Sequence, residues 1–329
     1  MNSRPSHRVS IRLLRLSRFN GRRRVLIAAV AAVLVAGAGL FGLVTGNAGK
    51  DNLSGPAVLI AAGDIADCSE DGDSATATLV EGMPGTVIAL GDNAYEVGSS
   101  DDYAKCYGPT WGAFKSRTRP VPGNHEYGSA GAIPYFRYFG ADAGNAANGY
   151  YAFEVGSWRI YALNSNCDSI GGCGRTSAQY AWLTADLAAH PASCVAAYWH
   201  HPRWSSGMHG NQLRMQAIWE ALYRAGAEIV LSGHDHDYER FAPQDASGQV
   251  DSAFGVREFV VGTGGKSHYG FRDPPLPNSQ ARNDNTFGVL RLQLDTDAYT
   301  WRFTPVAGAT FTDGGTTPCH SPPPSTRAS

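Results

Sequence analysis

Gly233-His234-Asp235-His236-Asp237-Tyr238-Glu239-Arg240 follows the apolar run Ile229-Val230-Leu231. A short β-branched and aliphatic run that stops at Ser232-Gly233 predicts a buried strand entering a turn. Two histidines therefore stand two residues apart at a strand exit. Neutral imidazoles are common ligands for zinc and iron. An isolated histidine is usually packed or solvated, so the reading depends on what the other strand ends supply.

They supply matching groups. Working outward, the helix predicted over Gln212–Arg224 carries Met215, Ile218, Trp219 and Leu222 on one face. Before it, the apolar strand from Cys194 ends at His200-His201-Pro202, preceded by a helix over Ser177–His190. Tyr150–Val155 and Trp158–Leu163 flank Gly156-Ser157 as a hairpin. Further upstream, Arg119-Pro120-Val121-Pro122 leads into Gly123-Asn124-His125-Glu126, and a broken helix is expected over Asp102–Phe114. Ala57–Ala62 ends at Gly63-Asp64, and Thr86–Leu90 ends at Gly91-Asp92. A helix over Ser74–Glu81 between those two makes a βαβ unit with parallel strands, beyond whose carboxyl ends ligands gather. Downstream, Glu258–Val261, Gly288–Leu294 and Tyr299–Thr304 read as a closing antiparallel set.

An aspartate at one strand end is often only a cap or turn former. Asp64, Asp92 with Tyr95, Asn124 with His125, His200, and His234 with His236 form five such sites, which capping does not explain. Two carboxylates, three imidazoles, an amide oxygen and a phenolate suffice for two metals sharing one bridging carboxylate, an arrangement suited to phosphoryl transfer.

Gly63-Asp64, Gly91-Asp92-Asn93-Ala94-Tyr95, Gly123-Asn124-His125-Glu126, His200-His201-Pro202 and Gly233-His234-Asp235-His236 resemble the five ordered blocks of calcineurin-like metallophosphoesterases, and most nearly the purple acid phosphatase branch. Most of that superfamily carries a histidine where this chain has Ala66. Tyr95 stands where the branch carries a tyrosine ligand, and the branch's usual glycine is replaced by Ala66. The resemblance implies an α/β fold, a four-layer metallophosphoesterase sandwich of two mixed β-sheets flanked by helices. It implies two metal ions. Asp64, Asp92, Tyr95 and His236 would hold Fe(III), and Asp92, Asn124, His200 and His234 would hold Fe, Zn or Mn. It further implies phosphate monoester hydrolysis by a metal-bound hydroxide, with His125 and His209 as phosphate-binding or acid groups. His201 is expected to face the other side of the strand end. Asp235 and Asp237 are read as acceptors orienting ligand imidazoles or as solvated groups, and Arg240 as pairing with a local carboxylate. Two other readings stand beside this one: a phosphodiesterase or nucleotidase on the same metals, and a non-catalytic metal-containing surface binding protein.

Composition narrows the setting. Nine of the 27 Lys/Arg residues lie in residues 1–50, which hold no Asp or Glu, so the remainder carries 18 basic against 29 acidic residues. An acidic body argues against a nucleic-acid-binding face. The partner expected is a small phosphate ester. The basic leader precedes 21 apolar residues, Val25 to Thr45, long enough to span a bilayer. Residues 1–50 thus read as an export signal or an anchor through 25–45, and the protein as secreted or held on the outer face of the membrane. Residues 55–320 read as one catalytic domain, and the Pro/Ser-rich 318–329 end as unordered, the tail proper being 321–329. The six cysteines suit an oxidising compartment and allow 15 pairings. Cys167 and Cys173 flank Gly171-Gly172 as a loop staple. Cys194 with Cys319 would pin the C-terminus, which leaves Cys68 with Cys106.

Overall fold

The computed structural model describes residues 57–324; the expected leader lies outside them. Among the described residues, thirteen strands form two mixed sheets. The strands are β1 (Ala57–Ala62), β2 (Thr86–Ala89), β3 (Thr118–Pro120), β4 (Tyr151–Val155), β5 (Trp158–Ala162), β6 (Cys194–Tyr198) and β7 (Ile229–Ser232). They continue with β8 (Tyr238–Phe241), β9 (Arg257–Val261), β10 (Ser279–Asn283), β11 (Gly288–Leu294), β12 (Ala298–Pro305) and β13 (Asp313–Pro318). The first sheet has the order β13-β12-β11-β1-β2-β3 and the second β10-β8-β9-β7-β6-β5-β4.

Within each sheet the strands that carry the motifs run parallel: β1, β2 and β3 in one, β5, β6, β7 and β9 in the other. Three of the parallel pairs are joined by helices, the usual crossover between parallel strands: α1 (Gly72–Glu81) between β1 and β2, and, after a short α2 (Ile133–Phe139), α3 (Ala178–Ala189) between β5 and β6 and α4 (Gln216–Arg224) between β6 and β7. Side-chain alternation explains why their sequences are continuously apolar. Ile160, Ala196, Tyr198, Ile229 and Leu231 enter the core between the sheets, together with Leu59, Leu290 and Leu292. Their neighbours Tyr161, Val195, Ala197, Trp199 and Val230 face outward under Leu183 of α3 and Ile218, Trp219 and Leu222 of α4. Both faces of the second sheet are therefore dry.

Several expectations need correction. The closing antiparallel set is split: β11 and β12 pair antiparallel in the first sheet, but β9 lies in the second, parallel to β7 and antiparallel to β8. The helix expected over 102–114 is instead a capped turn at Ser100–Asp102, a π-turn at Tyr103–Tyr107 and a 3-10 segment at Trp111–Arg117, broken at Gly108-Pro109. The segment from 318 is not wholly unordered. Cys319 is bonded to Cys194, the His320 backbone N–H donates to Glu228 at 2.7 Å, and Pro322 packs against Gly226. The other bridges, Cys68–Cys106 and Cys167–Cys173, form as expected. No helix among the described residues is long and apolar enough to cross a membrane.

Candidate metal centre

The carboxyl ends of β1, β2, β6 and β7 meet where the sheets abut, and three of them end in the same way. Asp64, Asp92 and His234 each follow a glycine and take left-handed backbone angles, with φ of 59°, 47° and 70°. Such angles disfavour residues with a Cβ by about 1–2 kcal/mol each. The sharp turn throws each side chain back across its strand end, which a glycine, lacking a side chain, would leave empty. The preceding glycines are needed for close approach: a Cβ on Gly91 would stand 2.6 Å from the His200 ring, and one on Gly233 2.6 Å from Asp64 Oδ2.

All seven expected ligands converge. Tyr95 Oη donates to Asp64 Oδ1 at 3.1 Å and lies 3.3 Å from Asp92 Oδ2 and 3.2 Å from His236 Nε2. On the other side of the same carboxylate, His200 Nε2 lies 3.1 Å from Asp92 Oδ2, 3.1 Å from Asn124 Oδ1 and 3.2 Å from His234 Nδ1. Asp92 Oδ2 is thus shared by two donor groups. Its Oδ1 accepts the His125 backbone N–H at 2.9 Å, and Asp64 Oδ2 accepts that of His234 at 2.8 Å.

The tautomers suit cation binding. His200 gives its Nδ1–H to Leu90 O at 2.9 Å and His236 gives its own to Ser267 O at 2.8 Å, so in the neutral form of each ring, the form that binds a cation, the lone pair is on Nε2 and faces inward. Burial works against charge on Asp92, but the imidazoles of His200, His125 and His234 hold its carboxyl well below the usual range. Burial lowers His200, but Asp92 outweighs it and takes the imidazole to about 9. Burial and the neighbouring His200 push His234 down to about 2. Burial and the charges of Asp64 and Asp92 drive the Tyr95 phenol far above its ordinary value. Buried carboxylates, inward-facing ring nitrogens and a phenol oxygen packed this closely fit metal cations.

Around this cluster, His209 gives both its backbone N–H (2.8 Å) and Nδ1–H (3.0 Å) to Asp235 Oδ1, and Asp235 is fixed in turn by the Ser205 hydroxyl. Asp235 therefore orients His209 rather than a ligand imidazole. Asp237 is buried with neither carboxylate oxygen bonded, so it is not a solvated group. His125 sits over Tyr95 with ring centroids 4.4 Å apart and its Nε2 3.8 Å from Asp92 Oδ2. Arg240 pairs with Asp313, away from the cluster. His201 departs from expectation: its ring lies 4.4 Å from that of His234, inside the cluster. The proline after it turns the chain, so strand alternation no longer applies.

Three further residues border the cluster, and the sequence reading gave none of them a specific role. Glu126 accepts backbone N–H groups of Gly123 and Asn93 and ties two ligand loops together. Tyr269 donates to His234 O at 2.8 Å and lies over the His236 ring at 4.3 Å. Lys266 pairs with Asp67 and Glu96 and stands 5.0 Å from the centre of the Tyr95 ring. Glu126 had a signal in its own block, as an acidic residue just after Asn124-His125; Lys266 ends the glycine-rich Gly262-Thr263-Gly264-Gly265-Lys266, which reads as a turn lining the rim of the site, and Tyr269 follows it in a loop without a signal. Ala66 gives no strain: its N–H and C=O pair with Asn93 and Tyr95, and it does not need left-handed angles.

The profile of calcineurin-like phosphoesterases matches residues 43–238. The chain belongs to that family. Among curated phosphoesterases, purple acid phosphatase 22 of Arabidopsis thaliana is 28% identical over 225 residues, 58% of this chain and 49% of that protein. Purple acid phosphatase 23 of the same plant is 30% identical over 202 residues, 49% of this chain and 43% of the relative. The chain spans about half the length of these relatives. A purple acid phosphatase from yellow lupin seeds shares the fold with a TM-score of 0.65 at 16% identity, covering 81% of this chain and 54% of that one. A Plasmodium protein described as the anchor in the inner membrane complex shares it at 0.58 and 13%, covering 82% and 90%.

Proposed function

We propose that this phosphoesterase is an exported binuclear-metal phosphatase of the purple acid type that hydrolyses phosphate monoesters. The observation that carries the reading is the shared oxygen, Asp92 Oδ2, which lies within 3.3 Å of Tyr95 on one side and 3.1 Å of His200 on the other. Asp64, Asp92, Tyr95 and His236 would hold one ion, and Asp92, Asn124, His200 and His234 the second. A phenol crowded by two carboxylates supports a hard trivalent ion, Fe(III), at the first position; Fe, Zn or Mn suits the second. When bound, two such ions neutralise phosphate oxygens and acidify water near neutral pH.

The chain's own groups do the rest. His209, held through Nδ1–H by Asp235, would act as an imidazolium that gives its Nε2 proton to the leaving alkoxide oxygen and is left as the neutral ring with the Nδ1–H bond intact. His125 presents Nε2 beside Asp92 and binds a phosphate oxygen. Three disulfides support an oxidising compartment, and residues 1–50 would supply export, with secretion or anchoring through 25–45. A purely structural role, such as the anchoring described for the Plasmodium neighbour, would not require a complete donor set.

Hydrolysis of p-nitrophenyl phosphate beside bis(p-nitrophenyl) phosphate tests the reading. The monoester is expected to turn over faster, and Asp92→Ala to lower kcat/KM by about three orders of magnitude. Equal rates for Asp92→Ala and wild type would reject it. A faster bis-ester would favour a phosphodiesterase on the same residues.

A further inference from the structure

β6 is followed by Trp199-His200-His201-Pro202, and one of these two histidines has no role in the site proposed above. His201 is 5% exposed, and its ring centroid lies 4.9 Å from that of His200 and 4.4 Å from that of His234. One nitrogen from each of these three imidazoles lies within 4.8 Å of the other two. The ring is held by a serine after β5: Ser165 Oγ accepts the His201 backbone N–H at 3.0 Å and meets its Nδ1 at 2.8 Å. The tautomer that donates Nδ1–H to that hydroxyl leaves an Nε2 lone pair, the state that backbone carbonyls impose on His200 and His236.

We propose that His201 is a third imidazole ligand at the second metal position, making that position nitrogen-rich and selective for zinc over manganese. The inference rests on the two-metal reading. Its chemistry follows from donor type: imidazole suits zinc, whereas manganese favours carboxylate, carbonyl and water oxygens. Two imidazoles, an amide oxygen and a carboxylate accept either ion; a third imidazole tips the balance. Ser165 acts as a positioning residue that fixes the ring and its tautomer.

The test is calorimetric titration of the full chain, stripped of metal by a chelator, with Zn²⁺ and with Mn²⁺. In His201→Asn, zinc affinity at the second position is expected to fall about tenfold or more, with a smaller change for manganese. With Co²⁺ at that position, the same substitution is expected to change the visible d–d band. Ser165→Ala keeps the imidazole and frees only its orientation; zinc is expected to bind several-fold more weakly, and this variant decides the matter if His201→Asn does not fold. Two ions bound with unchanged zinc affinity in the folded variants would overturn the inference and leave the two-metal reading standing. A wild-type chain that binds no second ion would remove both.

Discussion

Asp64, Asp92 and His234 adopt left-handed angles that glycine would take more readily, and each does so where its side chain faces the cluster. Backbone strain at such positions persists only where surrounding structure enforces it. The expected ligand types were legible in the sequence because few residue types bind cations, and Asp64, Asp92, Asn124 and His234 each directly follow a glycine. His201, Asp235 and Tyr269 were misjudged or missed because their roles depend on contacts across loops. The His209–Asp235 pair gives the clearest prediction at this scale. His209→Asn should lower kcat by about 10²–10⁴-fold while the metal content stays unchanged. Asp235→Asn should cost less, since an amide oxygen still accepts Nδ1–H. Metal analysis alongside steady-state kinetics checks both; loss of metal in His209→Asn would contradict the assigned role.

At the level of strands and turns, the elements buried on both faces were read from the sequence almost to the residue, because continuous apolar runs bounded by glycine allow few alternatives. β3, β10 and β13 were not: they are short or polar, and their backbone pairing is set by the neighbouring strand rather than by their own residues. β8 was read only as a motif, since its charged residues mask a strand whose Tyr238 and Phe241 are buried. Gly91 joins β2 to the cluster at φ 88°, and Gly91→Ala would push its methyl into His200. Expected results are a loss of about 1–3 kcal/mol in stability and weaker binding of the second metal, read by denaturation and metal titration. Beside β7, burial pushes the Glu228 carboxyl up to about 8, only partly offset by the His320 N–H. A raised carboxyl favours the folded state fully below its ordinary pKa of 4.5, and that contribution is lost as pH rises through 8. Tm should therefore decline between pH 5 and 8 from this source, and Glu228→Gln should flatten the decline. An identical slope in the variant would show that the group does not titrate there.

Over the whole molecule, the site exists only because two separately hydrogen-bonded sheets bring their parallel strand ends together. Asp64 and Asp92 come from one sheet, and His200, His234 and His236 from the other. Family blocks in the right order implied this meeting, although no local pattern encodes it. The Cys194–Cys319 bridge closes a loop of 125 residues and ties the C-terminal segment to β6. Replacing both cysteines with alanine should lower stability by up to about 4–5 kcal/mol, measured by denaturation, with the metal cluster left intact. The most direct measurement is the metal-to-protein stoichiometry of the purified full chain beside that of Asp92→Ala. If one carboxylate joins two cation positions, the wild type holds two ions per chain and the variant holds less than one. Both ions retained in Asp92→Ala, or an active wild type with only one, would contradict the account.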